Sequence, residues 1–314
     1  MKEKLMVKSS PHISSNRSTS KIMLNVILAL LPCILASVLL FGLKSLRIMA
    51  YCALFSMLFE IVFSLFAKRQ VLIEDFSAVL SGILLGLCLP VNISIYPCLI
   101  GSMASIIVAK QLFGGIGQNF VNPALFGRAV MLICFPKDMT DWRTNKGIVD
   151  LTSGATPLEI IYSGNIEQLP SLKDLLLGMR GGCIGETCIL AILLGLLYLC
   201  ITKVITPVVP VSFIGGTLLT SILIGAGYRE IFCGGLFFSA VFMATDYVTS
   251  PISNLGKTIF GLGCGVLTIV LRKFASAPEG VTTAILFMNL LVPYINRYTL
   301  AQPFGTGKKA IQNV

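Results

Sequence analysis

The chain has 314 residues, 55% of them hydrophobic and 12% charged, with a formal net charge of +10 and a mean hydropathy of +0.88. Soluble domains are usually about a quarter charged, so this composition excludes an ordinary pair of soluble domains and points to a helical bundle in a membrane. The cations lie between apolar segments, with no continuous patch and no interleaved aromatics, so they read as topology signals rather than a nucleic-acid surface.

Residues 1–22 form a polar basic tail carrying Lys2, Lys4, Lys8, Arg17 and Lys21. The apolar run that follows, 23–41, exceeds a signal-peptide core and lacks a small-residue cleavage site, so it reads as a first membrane helix. A helix of about 20 residues crosses the roughly 30 Å hydrocarbon layer. Ten apolar segments meet or approach that length: 23–42, 46–67, 76–91, 95–112, 119–136, 187–204, 207–226, 230–246, 257–275 and 279–296. The third and fifth contain Gly, Pro or Asn where a plain helix would not, which predicts short or broken helices. The expected organisation is all-α. A first five-helix repeat fills 23–136, a polar loop 137–186, a second five-helix repeat 187–296, and a C-terminal tail 297–314.

The basic N-terminal tail places both termini in the cytoplasm, and Lys68, Arg69, Arg297, Lys308 and Lys309 agree. Residues 137–186 are then extracytoplasmic, and the expected location is the cell inner membrane. Lys44, Arg47, Arg272 and Lys273 fall on the opposite side of this scheme. The two halves also resemble each other. Phe76-Ser-Ala-Val79 recurs as Phe238-Ser-Ala-Val241, Pro90 answers Pro251, Lys110 answers Lys273, and Ala124 answers Ala284. The offsets are all close to 160 residues. Five helices per copy force opposite orientations, the inverted-repeat plan of many transporters.

The 10 cysteines include no CxxC pair, and the single histidine, His12, lies in the tail. This chain alone therefore offers no zinc, haem or iron–sulfur ligand set; an iron site shared with a partner subunit stays open. Charges inside membrane helices are costly and often functional. Arg128 in the fifth helix reads as the partner of an acid inside the bundle. Glu60 in the second helix and Asp246 at the inner end of the eighth read equally as paired groups or as an ion path. Asp246 and Thr249 offer hard oxygen ligands of the kind that hold Na⁺. Gly114-Gly-Ile-Gly117 is a tight connection, not a phosphate loop, because no Gly-Lys-Ser/Thr follows. Asn119 and Asn122 face one side of a helix start, where capping is the simpler role. Gly82/Gly86 and Gly261/Gly265 have the small-residue spacing of close helix contacts.

Asp150-Leu-Thr-Ser-Gly-Ala-Thr-Pro-Leu158 is the sharpest local feature of the polar loop. Small neighbours leave the Thr156 hydroxyl accessible, and Pro157 biases Thr156 to extended backbone. With no base nearby the hydroxyl is a weak nucleophile, so it reads as an acceptor for an enzyme or as part of an ordinary Ser/Thr turn.

Several motifs together resemble one family. They are Ser9-Ser-Pro-His12 with Arg17-Ser-Thr-Ser-Lys-Ile-Met23, Lys110-Gln-Leu-Phe-Gly-Gly-Ile-Gly-Gln-Asn119 with Asn122-Pro-Ala124, and Met139-Thr-Asp-Trp142. Ser153-Gly154-Ala155-Thr156, Thr245-Asp246-Tyr-Val-Thr249-Ser-Pro251, Pro278-Glu-Gly280 and Met288-Asn289 follow in order. This pattern resembles the RnfD/NqrB family of membrane proteins, found in the Rnf ion-translocating ferredoxin:NAD oxidoreductase and in the sodium-pumping NADH:quinone reductase. The short tail favours the Rnf side. The resemblance implies FMN joined to Thr156 by a phosphoester, installed from FAD by a flavin transferase outside the cytoplasm. It implies a second, noncovalent flavin such as riboflavin near Asn119 and Asn122. It also implies an electron-relay role among other Rnf subunits, which hold the ferredoxin and NAD sites, coupled to Na⁺ or H⁺ movement. Tyr247 departs from the family, which commonly has Pro there. An inverted-repeat transporter or channel without a redox cofactor is the alternative expectation, and a structural anchor for flavoproteins is a third.

Overall fold

The computed structural model describes residues 18–68, 75–142, 156–162, 169–225, 227–275 and 280–300, and those residues contain helices and turns but no strand. Ser18 starts the first helix by accepting the Lys21 N–H at 3.3 Å, a standard N-cap contact. Helix α1 (Thr19–Phe41) meets α2 (Leu43–Phe66) at Gly42, whose φ of 75° lets the chain turn without a loop. α3 (Ser77–Leu87) and α4 (Ile95–Met103) follow, the latter continuing as a π-helix over Ala104–Gln111. Next come α5 (Pro123–Cys134) and three short helices, α6 (Pro136–Met139), α7 (Pro157–Tyr162) and α8 (Leu172–Leu177). The second half holds α9 (Ile189–Ile201), α10 (Val208–Ile224), α11 (Leu236–Phe238) with a π-turn over Ser239–Met243, α12 (Asn254–Phe274) and α13 (Val281–Thr299). Each predicted apolar segment therefore coincides with a helical stretch.

The bundle is turned inside out relative to a soluble one. On α1, Leu24, Leu28, Leu31, Leu35 and Leu39 face outward while Ala29, Cys33 and Ser37 are buried. On α2 the buried face carries Ser45, Ser56, Glu60 and Ser64, and the exposed face carries Leu46, Leu54 and Leu58. That is the surface of a multi-pass membrane protein, since lipid tails are as apolar as leucine. Thr19–Phe41, Leu43–Phe66 and Asn254–Phe274 are long and apolar enough to cross a membrane. The other apolar helices are shorter. α3 has 11 residues and α5 has 12, about 17 and 18 Å at 1.5 Å per residue, so the segments expected to be short are short.

Packing is close where glycines remove side chains. A Cβ on Gly82 would lie 2.6 Å from the Ala53 Cα, and one on Gly86 would lie 2.8 Å from the Met49 Cα, which joins α3 to α2. Gly261 and Gly265 bring α12 equally close to the α10 backbone. Both small-residue spacings are packing devices.

The paired motifs of the two halves occupy different positions in the fold. Phe76–Val79 opens the third helix of the first half, whereas Phe238–Val241 lies inside the third helical stretch of the second. Lys110 is buried, but Lys273 is exposed and donates to the Ile224 carbonyl at 2.8 Å. The buried cation of that helix is its neighbour Arg272. The end of the polar loop 137–186 folds into the bundle. Arg180, Cys183, Ile184 and Glu186 are buried. The Ile184 and Gly185 N–H groups donate to the Leu89 and Leu87 carbonyls at 3.0 and 2.7 Å. The end of the loop thus caps the chain emerging from α3, where irregular backbone needs partners that lipid cannot give.

Candidate functional site

Two cavities lie at opposite ends of α5. Asn122 and Pro123, at its start, line the first; Leu132, near its end, lines the second. The α11 region runs between them in the other sense, with Gly234 at the second cavity and Asp246 at the first.

The first cavity is narrow, about 80 Å³. It gathers Asn119, Asn122 and Asp246, three of the residues singled out in the sequence, beside Ser77 and Lys110. Asn122 is the N-cap of α5: its Oδ1 accepts from the Ala124 and Leu125 amides at 3.0 and 3.3 Å. Its Nδ2 donates to the Met243 carbonyl at 3.1 Å, so one side chain ties the start of α5 to the end of the α11 region. Asn289, oriented as its neighbours require, donates to the Thr249 carbonyl and accepts the Asn122 N–H, both at 3.1 Å. Asp246 accepts from the Thr249 hydroxyl at 3.1 Å. The Asn119 Oδ1 is buried and has no partner among the described residues. Glu60 does not stand free: it accepts from Lys110 at 2.5 Å and from Gln111 at 2.8 Å. Lys110 also meets the Ser77 hydroxyl at 2.5 Å. Ligand pockets generally exceed about 300 Å³, so this cavity does not admit a flavin as its walls stand.

The second cavity is about 480 Å³, within the usual range for a bound cofactor. Thr156 lies on its wall and is the N-cap of α7. The Glu159 N–H donates to the Thr156 Oγ1 at 3.3 Å, and the Thr156 N–H donates to the Glu159 Oε2 at 2.8 Å. With Pro157 at the first helical position, this is a reciprocal capping box. Leu158 is buried, and its Cδ1 sits where a side chain on Gly234 would be. That contact docks α7 beside the cavity. The cap uses an acceptor lone pair of the threonine oxygen and, among the described residues, leaves its O–H unused.

Buried charge surrounds this second cavity. Arg128 pairs with Glu186 at 2.7 Å and meets the Cys183 Sγ at 3.2 Å, which fulfils the expectation that it pairs inside the bundle. Arg272 donates to the carbonyls of Glu230 and Cys233, each at 3.2 Å, and lies 3.9 Å from the Glu230 carboxylate. Arg180 donates to the Phe232 carbonyl, to the Glu186 carbonyl at 2.9 Å and to the Gly234 carbonyl at 3.5 Å. Two guanidinium forks thereby hold the broken backbone that precedes α11. Burial pulls Arg180 below the ordinary arginine pKa, with Arg272 adding to the fall and Glu186 opposing it. An arginine keeps its charge even so. The residues present fit an anionic, partly apolar cofactor: a free hydroxyl for attachment, a buried cation, and Trp142 on the wall.

Ser153, Gly154 and Ala155 lie outside the described residues. Among the site residues predicted from the sequence, Asn119, Asn122, Asp246 and Thr249 converge at one end, while Thr156 stands alone at the other. Arg180, Glu186, Glu230 and Arg272 join the site from the fold and not from any motif. Their sequence signal is weak: Arg180 and Glu186 border glycine in a polar loop, while Glu230 and Arg272 stand at the ends of apolar segments beside another charge, Arg229 and Lys273.

The family model described as NQR2, RnfD, RnfE family matches residues 6–305. The chain is 39% identical over 307 residues to the D subunit of the Na(+)-translocating ferredoxin:NAD(+) oxidoreductase complex of Acetobacterium woodii, covering 97% of this chain and 96% of the relative. It is 39% identical over 319 residues to the D subunit of the proton-translocating ferredoxin:NAD(+) oxidoreductase complex of Clostridium ljungdahlii, covering 96% of each. It is 33% identical over 330 residues to the D subunit of the ion-translocating oxidoreductase complex of Ectopseudomonas mendocina, covering 95% of each.

Proposed function

The chain belongs to the NQR2, RnfD, RnfE family, and on that footing we propose that it is a membrane subunit of a Rnf-type ferredoxin:NAD oxidoreductase complex. It carries FMN on Thr156 as an electron relay, and electron transfer is coupled to Na⁺ or H⁺ movement. The observation that carries this reading is the Thr156 hydroxyl on the wall of a 480 Å³ cavity, in a chain that matches its Rnf relatives almost end to end. FMN bound there supplies one- or two-electron transfer. This chain supplies the rest. Thr156 holds the phosphoester, and its oxygen retains the lone pair that caps α7. The buried arginines fix the cavity wall, and Trp142 and Leu132 present apolar surface. A flavin transferase makes the bond, since no base lies within hydrogen-bonding reach of the hydroxyl among the described residues.

The topology belongs to the same reading. The chain spans the cell inner membrane ten times in two inverted five-helix halves, with both termini cytoplasmic and the Thr156 cavity outside. The first cavity then opens toward the cytoplasm, where Asp246 and Thr249 form the mouth of an ion path. Glu60 is held by Lys110 and serves that path only if the pair separates. Relatives named for Na⁺ and for protons share the same 39% identity with this chain, so overall similarity does not choose the ion. Ferredoxin, NAD and the other electron carriers meet partner subunits.

Denaturing gel fluorescence tests the central claim. Coexpressed with a flavin transferase, the complex gives a fluorescent band at this chain, and Thr156→Ala abolishes it while the protein still accumulates. A band that survives Thr156→Ala moves the attachment off Thr156, and a wild-type chain without a band leaves the transporter or anchor reading in its place.

A further inference from the structure

Three guanidinium groups near the second cavity are almost wholly buried: Arg128, Arg180 and Arg272, at 2, 3 and 2% exposure. Among the described residues, two buried carboxylates at this end, Glu186 and Glu230, stand against them. Arg128 takes Glu186 at 2.7 Å, and Arg272 lies 3.9 Å from Glu230. Arg180 is left with three backbone carbonyls. Carbonyls satisfy its N–H groups but do not cancel its charge, and an uncancelled charge away from water is costly. Glu159, the remaining acid on the wall, is partly exposed and is turned to the Thr156 amide. Arg180 therefore brings to the cavity wall a buried cation that no carboxylate among the described residues pairs directly.

We propose that Arg180 is the electrostatic positioning residue of this site, set to stabilise the negative charge that a flavin gains on reduction. The inference rests on the Thr156 reading above. An electron delivered by the complex without a proton adds one unit of negative charge to the ring. A preorganised cation in a water-poor cavity favours that state at no cost in reorganisation. Arg180 suits the task because its fork is locked by Phe232, Glu186 and Gly234 and cannot swing away.

The test is a potentiometric titration of the protein-bound flavin in the intact purified complex, read by its absorbance. Arg180→Gln disfavours the reduced form at least tenfold at a given ambient potential, a fall of about 59 mV for a one-electron step. Arg180→Lys keeps the charge and retains most of the wild-type potential, which a role confined to gripping backbone would not predict. The potential is read per flavin, so a variant that accumulates poorly still reports. Thr140→Glu, an exposed change on the same cavity wall, leaves the Arg180 grip intact and lowers the potential in the same direction. A flavin band with an unmoved potential in Arg180→Gln, or a lysine variant that falls as far as the glutamine one, overturns the inference alone. A wild-type complex with no flavin band overturns the Thr156 reading, and this inference with it.

Discussion

The two ends of α5 bury charge in different ways. At the end beside Asn122, one acid meets one lysine, and the ammonium has two partners, Glu60 and Ser77. The pair is balanced and the space around it is small. At the end beside Leu132, planar guanidinium forks spread over four carbonyls of a broken helix as well as over carboxylates. A lysine is a point charge suited to a single acid, whereas an arginine presents five donors in a fixed plane. The first cluster accordingly serves packing between helices. The second replaces backbone hydrogen bonds that α11, with only 3 α-helical residues, cannot make for itself.

Removing one partner of a buried pair is the largest test of this contrast. Lys110→Ala and Arg128→Ala each leave a buried carboxylate unpaired and cost about 3–5 kcal/mol, read as loss of thermal stability in detergent. The double changes then separate the two ends. Glu60→Leu with Lys110→Met recovers most of the loss, because apolar replacements of a balanced pair are often near neutral. Arg128→Met with Glu186→Leu does not recover, because Glu186 is also the carboxylate that opposes the burial of Arg180. Equal recovery at both ends would remove the distinction.

A smaller effect is expected at Gly235. A Cβ there would overlap the Glu186 carboxylate, so Gly235→Ala pushes that carboxylate off Arg128 and costs about 1–3 kcal/mol. The same assay reads it, and unchanged stability would show that the carboxylate has room to swing. The smallest effect is at the rim. Glu159→Ala removes half of the Thr156 capping box and costs about 0.5–1 kcal/mol, seen as faster hydrogen exchange over 157–162 with global stability unchanged. Unaltered exchange would mean that docking through Leu158, not the cap, holds α7.

Much of the helical layout is legible in the sequence because apolar runs of about 20 residues have few other uses. Glu60 and Arg128 stand out because a charge inside such a run is conspicuous, and both are indeed paired. Arg180, Glu186, Glu230 and Arg272 do not, because a charge in a polar loop, or at the end of an apolar run beside another charge, looks solvated until the fold buries it. Thr156 illustrates a different gap. The Thr-x-x-Glu capping box with Pro157 at its first position is written in the sequence, yet on its small neighbours the segment reads as a turn or an acceptor. Asn122 is expected as a helix cap, but its bond to the Met243 carbonyl joins residues 121 apart in the chain, and no local pattern carries that.

The shortness of α5 has an electrical meaning. From Pro123 at one cavity to Leu132 at the other is roughly 14 Å at 1.5 Å per residue, about half the thickness of the hydrocarbon layer. On the proposed topology, water in both cavities would concentrate the membrane voltage over this short helix rather than over the whole bilayer. The field there would then be about twice as steep, with Arg128 midway along the helix.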